Sequence, residues 1–158
     1  GARFVEIGCW KGRSSCHMAA SIRSSGKQIE LFCIDTWMGS EEHVNEQCVQ
    51  SNTLYDEFLS NTQSFKDIVR PVRLPSVKAS ENFEDDSCDF IFIDAAHDYE
   101  NVVADIDAWL PKLKANGVLA GHVWDLLDTL RSNAFLALWL SERDTSTSQI
   151  QSKAFFIT

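Results

Sequence analysis

The chain has 158 residues and a mass of 17.8 kDa, room for one domain of ordinary size and not for a comfortable second. With 44% hydrophobic, 11% aromatic and 23% charged residues, it falls among globular chains and outside the disordered, collagenous and membrane-spanning classes. Fourteen Lys and Arg against 23 Asp and Glu give a net charge of -9, which argues against a general nucleic-acid or anionic-lipid surface because phosphates would be repelled.

The first element is an apolar run at 3–7 that reads as a buried strand. Because the chain opens directly on it, we expect a fragment, or a short form lacking whatever usually precedes this strand. The run enters FVEIGCWKGRSS, where Glu6 closes the strand, Gly8 and Gly12 follow, and a helix over 14–22 begins with Ser14 as its N-cap. Met18, Ala19 and Ile22 give that helix its apolar stripe, and Gly26 ends it. A glycine turn lets a ligand approach the backbone closely, and the helix N-terminus offers it N–H groups. The same glycines would equally serve a plain tight turn.

A second strand at 31–34 ends on Asp35, about where an acid takes ribose hydroxyls in dinucleotide-binding folds. An acid capping a loop is the alternative. From 35 to 64 the chain is polar and weakly periodic apart from a helix at 54–59, and reads as a long insertion on the active face. Trp37, near its start, either shields a ligand or anchors the insertion. Strands follow at 68–74 and 90–93, then an amphipathic helix over 99–113 with Pro111 near its end, and a strand at 118–120. A helix over 126–140, a polar connection over 144–152 and an edge strand at 154–157 complete the pattern. Alternating strands and helices of this kind predict an α/β fold, a mainly parallel sheet with helices on both faces. An apolar edge at 154–157 would permit a homo-oligomer.

Cys9, Cys16, Cys33, Cys48 and Cys88 are odd in number and contain no CxxC pair. That spacing signals neither a disulfide framework nor structural zinc, and the expected setting is a reducing cytoplasm. No basic motif adjoins them, so a thiol nucleophile is not expected. His17, inside a helix, and His43, in the insertion, read as solvated or structural. Trp109 and Trp139 read as core, whereas Trp10, Trp37 and Trp124 follow strand ends and could wall a pocket.

The stretch DFIFIDAAHDYENVVADIDAWLPKLKANGVLAGHVW, together with LFCIDTWMGS and the glycine motif, resembles the class I S-adenosylmethionine-dependent methyltransferases. The likeness is to the small-molecule O-methyltransferase group that includes macrocin-type sugar O-methyltransferases and relatives of cephalosporin hydroxylase, and it covers nearly the whole chain. It implies a Rossmann-like three-layer sandwich, with Glu6 near the methionine amino group of S-adenosylmethionine and Gly8, Gly12 and Ser14 around it. Asp35 would hold the ribose, and Ser76 and Ala79 would lie beside the adenine. Asp94 and His97 would form the reaction centre, and His122 matches the histidine of the group's GHD signature. Members that use a divalent cation such as Mg2+ carry an acid after that histidine; here it is Val123, which leaves Asp94 and His122 as the metal candidates.

In this reading His97 takes a proton from the acceptor while Asp94 orients the imidazole or binds a cation; alternatively His97 caps the helix that begins near Tyr99. The expected acceptor is a hydroxyl of a sugar, polyketide or catechol-like molecule, with no nucleic-acid or membrane partner. Two rivals remain: a cofactor-binding module without catalysis, suggested by Val123, and a nicotinamide-dependent oxidoreductase, disfavoured because Gly8 and Gly12 do not make a GxGxxG.

Overall fold

The computed structural model describes residues 1–40, 43–95, 99–122 and 154–157. Six strands, β1 (Ala2–Ile7), β2 (Ile29–Asp35), β3 (Val69–Arg73), β4 (Cys88–Ile93), β5 (Leu113–His122) and β6 (Ala154–Ile157), form one sheet in the order β3-β2-β1-β4-β5-β6. Every neighbouring pair is parallel. Parallel strands need crossovers, and between β1 and β2, β2 and β3, β3 and β4, and β4 and β5 the described helices supply them: α1 (Arg13–Ser25), α2 (Gln47–Gln50), α3 (Leu54–Thr62), α4 (Ser76–Ser80) and α5 (Tyr99–Trp109).

Side chains alternate across a sheet, and register assigns the faces. Val5 pairs with Phe32 and Ile91, and Ile7 with Ile34 and Ile93. These residues share one core cluster with Ala79, Phe83, Ile106 and Trp109, so α4 and α5 cover that face. Leu31 and Cys33 point the other way, into a second cluster with Ala19 and Ile22 of α1 and Leu54 and Phe58 of α3. The α/β sandwich with helices on both faces is therefore observed, and Trp109 is core as expected. Among the described residues no helix is long and apolar enough to cross a membrane.

Three expectations about elements are corrected. The insertion over 35–64 is partly core, because Trp37, Cys48, Leu54, Phe58 and Thr62 are buried beneath its helices. The helix expected over 99–113 ends at Trp109; a short turn at Leu110–Lys112 carries Pro111, which cannot continue the helical ladder. Strand β5 then starts at Leu113, well before the apolar run at 118–120. Lys114 disguised it, being drawn outward to Asp89 at 2.8 Å. In β3, Pro71 is tolerated because the strand lies at the sheet edge, where a missing N–H costs no ladder bond. The expected elements at 126–140 and 144–152 lie outside the described residues, as do Trp124 and Trp139.

Candidate functional site

The order of strands reverses at β1. The chain runs outward through β2 and β3, then returns to place β4 on the other side of β1. Open α/β sheets bind ligands at this switch point, beyond the carboxyl ends of the strands. Glu6 pairs with Cys33 and with Phe92, and Asp35 and Asp94 each come two residues after those partners. Period-two alternation therefore puts all three acids on the α1 side of the sheet. The main-chain N–H of Asp94 donates to the carbonyl of Ile7 at 2.8 Å, tying the two central loops together.

Glu6 is fully buried. One carboxylate oxygen, Oε2, accepts hydrogen bonds from the Ser15 hydroxyl and, at 3.7 Å, from the Cys33 thiol. The other, Oε1, is buried and has no hydrogen-bond partner. Burial pushes the Glu6 carboxyl up from its ordinary range, the hydroxyls of Ser14 and Ser15 oppose this, and the charge of Asp94 adds to the rise. Between the ordinary value and the raised one, the folded chain holds a proton that the unfolded chain has lost. Stability contributed by Glu6 therefore falls as pH rises through that window. Glu6→Gln is expected to remove this fall and to gain on the wild type as pH rises, read from urea midpoints between about pH 4 and about pH 8.

The glycine turn is shaped by the protein's own packing. At Gly8, with φ of 83°, an added Cβ would lie 2.2 Å from the Asp94 carbonyl oxygen. At Gly12, with φ of 84°, it would meet Thr62 and Phe58 of α3 at 2.9 and 3.0 Å. These glycines make room for the loop after β4 and for α3. Gly12 is also the N-cap of α1, and no side chain caps that helix. Ser14 is thus not the N-cap but the second helical residue, and the N–H groups of the first turn are left without a capping side chain.

Asp35 sits at the centre of this turn. Its Oδ2 accepts the main-chain N–H groups of Cys9 and Trp10, both at 2.9 Å, and its Oδ1 accepts that of Trp37 at 2.8 Å. Trp10 and Trp37 both adopt left-handed backbone, φ 47° and 51°, rare for bulky residues. The Trp37 indole N–H closes the clamp by donating to the carbonyl of Trp10 at 2.9 Å. Asp35 thereby caps the loop, the alternative left open by the sequence, and its Oδ1, which accepts one N–H, keeps acceptor capacity.

The ring of Trp37 is 1% exposed and packs on Tyr55 and Phe58, so it anchors the insertion and does not wall a pocket. Ala79, on α4, is fully buried in the core. The Ser76 hydroxyl, half-buried, accepts the Trp109 indole N–H at 2.8 Å. Trp10 is half-buried and carries His43 stacked on its ring at 4.1 Å, with the His43 Nδ1 at 2.7 Å from the Ser40 hydroxyl. His43 is thus part of the turn's outer wall, while His17 is exposed on α1. Burial pushes the thiols of Cys9, Cys16 and Cys88 up, which suits their expected lack of nucleophilic use.

His97 and Val123 lie outside the described residues, and so does the side chain of His122, whose backbone ends β5. Asp94 belongs to no group of three candidate metal ligands among the described residues. Sequence reading missed Ser15, which is fully buried against Glu6. Its one available signal was the paired serine, which puts a hydroxyl on the inner side of the first helical turn.

Residues 5–123 match a family described as a methyltransferase domain. An uncharacterized protein of Sinorhizobium fredii, y4gI, is 29% identical over 120 residues, which are 76% of this chain; this chain spans 13% of that protein's length. The O-methyltransferase NovP superposes with a TM-score of 0.65 at 17% identity, over 92% of this chain and 66% of its own. Precorrin 8w decarboxylase of Methanobacterium thermoautotrophicum gives 0.58 at 16%, over 91% and 63%. Geranyl diphosphate C-methyltransferase of Streptomyces coelicolor, solved with Mg2+, geranyl diphosphate and S-adenosyl-L-homocysteine, gives 0.50 at 15%, over 75% and 38%. At such identities the likeness is one of fold.

Proposed function

Because the chain belongs to the methyltransferase-domain family, we propose that it binds S-adenosylmethionine beyond the ends of β1, β2 and β4 and methylates a hydroxyl of a small molecule. The observation that carries this reading is Glu6 Oε1, a buried carboxylate oxygen with no hydrogen-bond partner, beside the first turn of α1. An unsatisfied buried acceptor costs about 1–3 kcal/mol, and more when charged. A ligand that brings an ammonium group relieves that cost. The uncapped N-terminus of α1 complements the carboxylate of the same amino-acid moiety, since first-turn N–H groups and the helix dipole favour an anion. A zwitterionic methionine end thus fits the paired features.

When bound, the cofactor supplies a methyl group on a sulfonium, and the residues around it do the rest. Asp35 holds the glycine turn in place and keeps acceptor capacity on Oδ1 for a ribose hydroxyl. Asp94 puts negative charge at the switch point, where a cationic ligand gains from it. His97, three residues on, is the proposed base that takes the acceptor's proton. Sugars, polyketides and catechol-like phenols remain the proposed acceptors, and no metal step is included.

The order β3-β2-β1-β4-β5-β6 is one that dinucleotide-binding folds share, which makes NAD the proper control. Calorimetry is expected to give saturable binding of S-adenosylmethionine and S-adenosylhomocysteine and none of NAD. Binding of NAD alone would overturn the proposal. Cofactor binding with no methyl transfer across a panel of hydroxylated acceptors would favour the non-catalytic module.

A further inference from the structure

Behind the glycine turn, three potential metal ligands from three places in the chain converge. Glu6 comes from β1, Cys33 from the neighbouring register position of β2, and Cys9 from the turn itself. The Glu6 carboxylate and the Cys9 and Cys33 sulfurs lie within 4.8 Å of one another, and all three side chains are buried. Among the described residues this is the one such group. The thiol of Cys9 lies 3.5 and 3.6 Å from the carbonyls of Glu6 and Ile34, and that of Cys33 lies 3.7 Å from Glu6 Oε2.

We propose that Glu6 Oε2, Cys9 and Cys33 form a buried three-ligand binding site for a thiophilic divalent cation of the zinc type, with the fourth position open to water and Glu6 Oε1 left for the ammonium group of the proposed cofactor. Two sulfurs and one carboxylate oxygen suit borderline-soft ions, whereas Mg2+ and Ca2+ prefer all-oxygen sets. Metal–sulfur distances near 2.3 Å and metal–oxygen distances near 2.0 Å need only a modest contraction of a cluster this tight. The Ser15 hydroxyl, bonded to Glu6, is placed to orient the carboxylate from outside the ligand set. The ion would displace the two thiol protons, so its affinity rises with pH. It would also pin the glycine turn to β1 and β2. No CxxC spacing announces the site because its ligands meet only through strand pairing.

The test is titration of reduced protein with Cd2+, followed by ultraviolet thiolate-to-cadmium charge transfer, and X-ray absorption of the wild type loaded with Zn2+. We expect one equivalent to bind, two sulfurs plus oxygen around zinc, and a rise in melting temperature with free Zn2+. Cys9→Ser and Cys33→Ser should each weaken binding at least tenfold, while Cys88→Ser, in the opposite core cluster, leaves it unchanged. No saturable band, or an all-oxygen and nitrogen shell around zinc in the wild type, would overturn the proposal even if the variants do not fold. The readout is independent of methyl transfer, so its failure and that of the functional reading are distinguishable.

Discussion

Gly8→Ala is expected to cost about 3 kcal/mol or more of folding stability and to abolish cofactor binding. Two costs combine. A left-handed backbone penalises an L side chain by about 1–2 kcal/mol, and the new methyl group would overlap the Asp94 carbonyl, 2.2 Å away, and the Ala95 Cα, 2.7 Å away. Overpacking against backbone adds roughly 1–3 kcal/mol, since backbone cannot swing aside as a side chain does. Gly26→Ala separates the two: its φ is 66° but nothing lies within 4 Å of the added atom, so it should lose only the first cost. Urea unfolding with an unchanged slope would read both. Equal losses at the two positions would mean that the loops after β1 and β4 do not touch as described, and the crevice between them would need redrawing.

That contact shows what sequence can and cannot disclose here. Continuous apolar runs such as those around Val5 and Ile91 announce strands covered on both faces, and an acid at the end of a strand is easy to place near a crevice. So β1, β2 and β4 follow from the sequence pattern, whereas the common side of Glu6, Asp35 and Asp94 needs the register between strands. Their partners do not. A carboxylate at a strand end reads the same whether a ribose or three amides of its own chain face it, and only the folded turn reveals that Asp35 is occupied. Trp37 reads equally as a ligand's shield or as an anchor of the insertion, and only the return of Phe58, twenty-one positions on, shows it buried. The start of β5 is hidden for a related reason, since only the folded sheet sets Lys114 2.8 Å from Asp89 on the neighbouring strand. Local pattern reports what a residue prefers; long-range pairing decides what it meets.

Asp35→Ala is the sharper probe of how the site is held. If the acid acted on a bound ribose alone, removing it would weaken cofactor binding and leave the urea midpoint where it was. The structure predicts that both fall. Three main-chain N–H groups would lose a charged acceptor, each such bond being worth about 1.5–3 kcal/mol before solvent replaces it. Two of them belong to Trp10 and Trp37, whose left-handed conformations cost about 1–3 kcal/mol each and persist only while their surroundings enforce them. Because water reaches part of this turn, we expect a net loss of about 2–4 kcal/mol, with cofactor affinity down at least tenfold as the turn relaxes. Asp35→Asn keeps one acceptor oxygen and should fall between. Trp37→Phe, which removes only the indole bond to the Trp10 carbonyl, should lower stability less than Asp35→Ala and weaken binding in proportion. Were stability untouched in all three while affinity dropped, the carboxylate would be a ligand group rather than a clamp, and the cofactor would have to displace the amides of Cys9 and Trp10 to reach it.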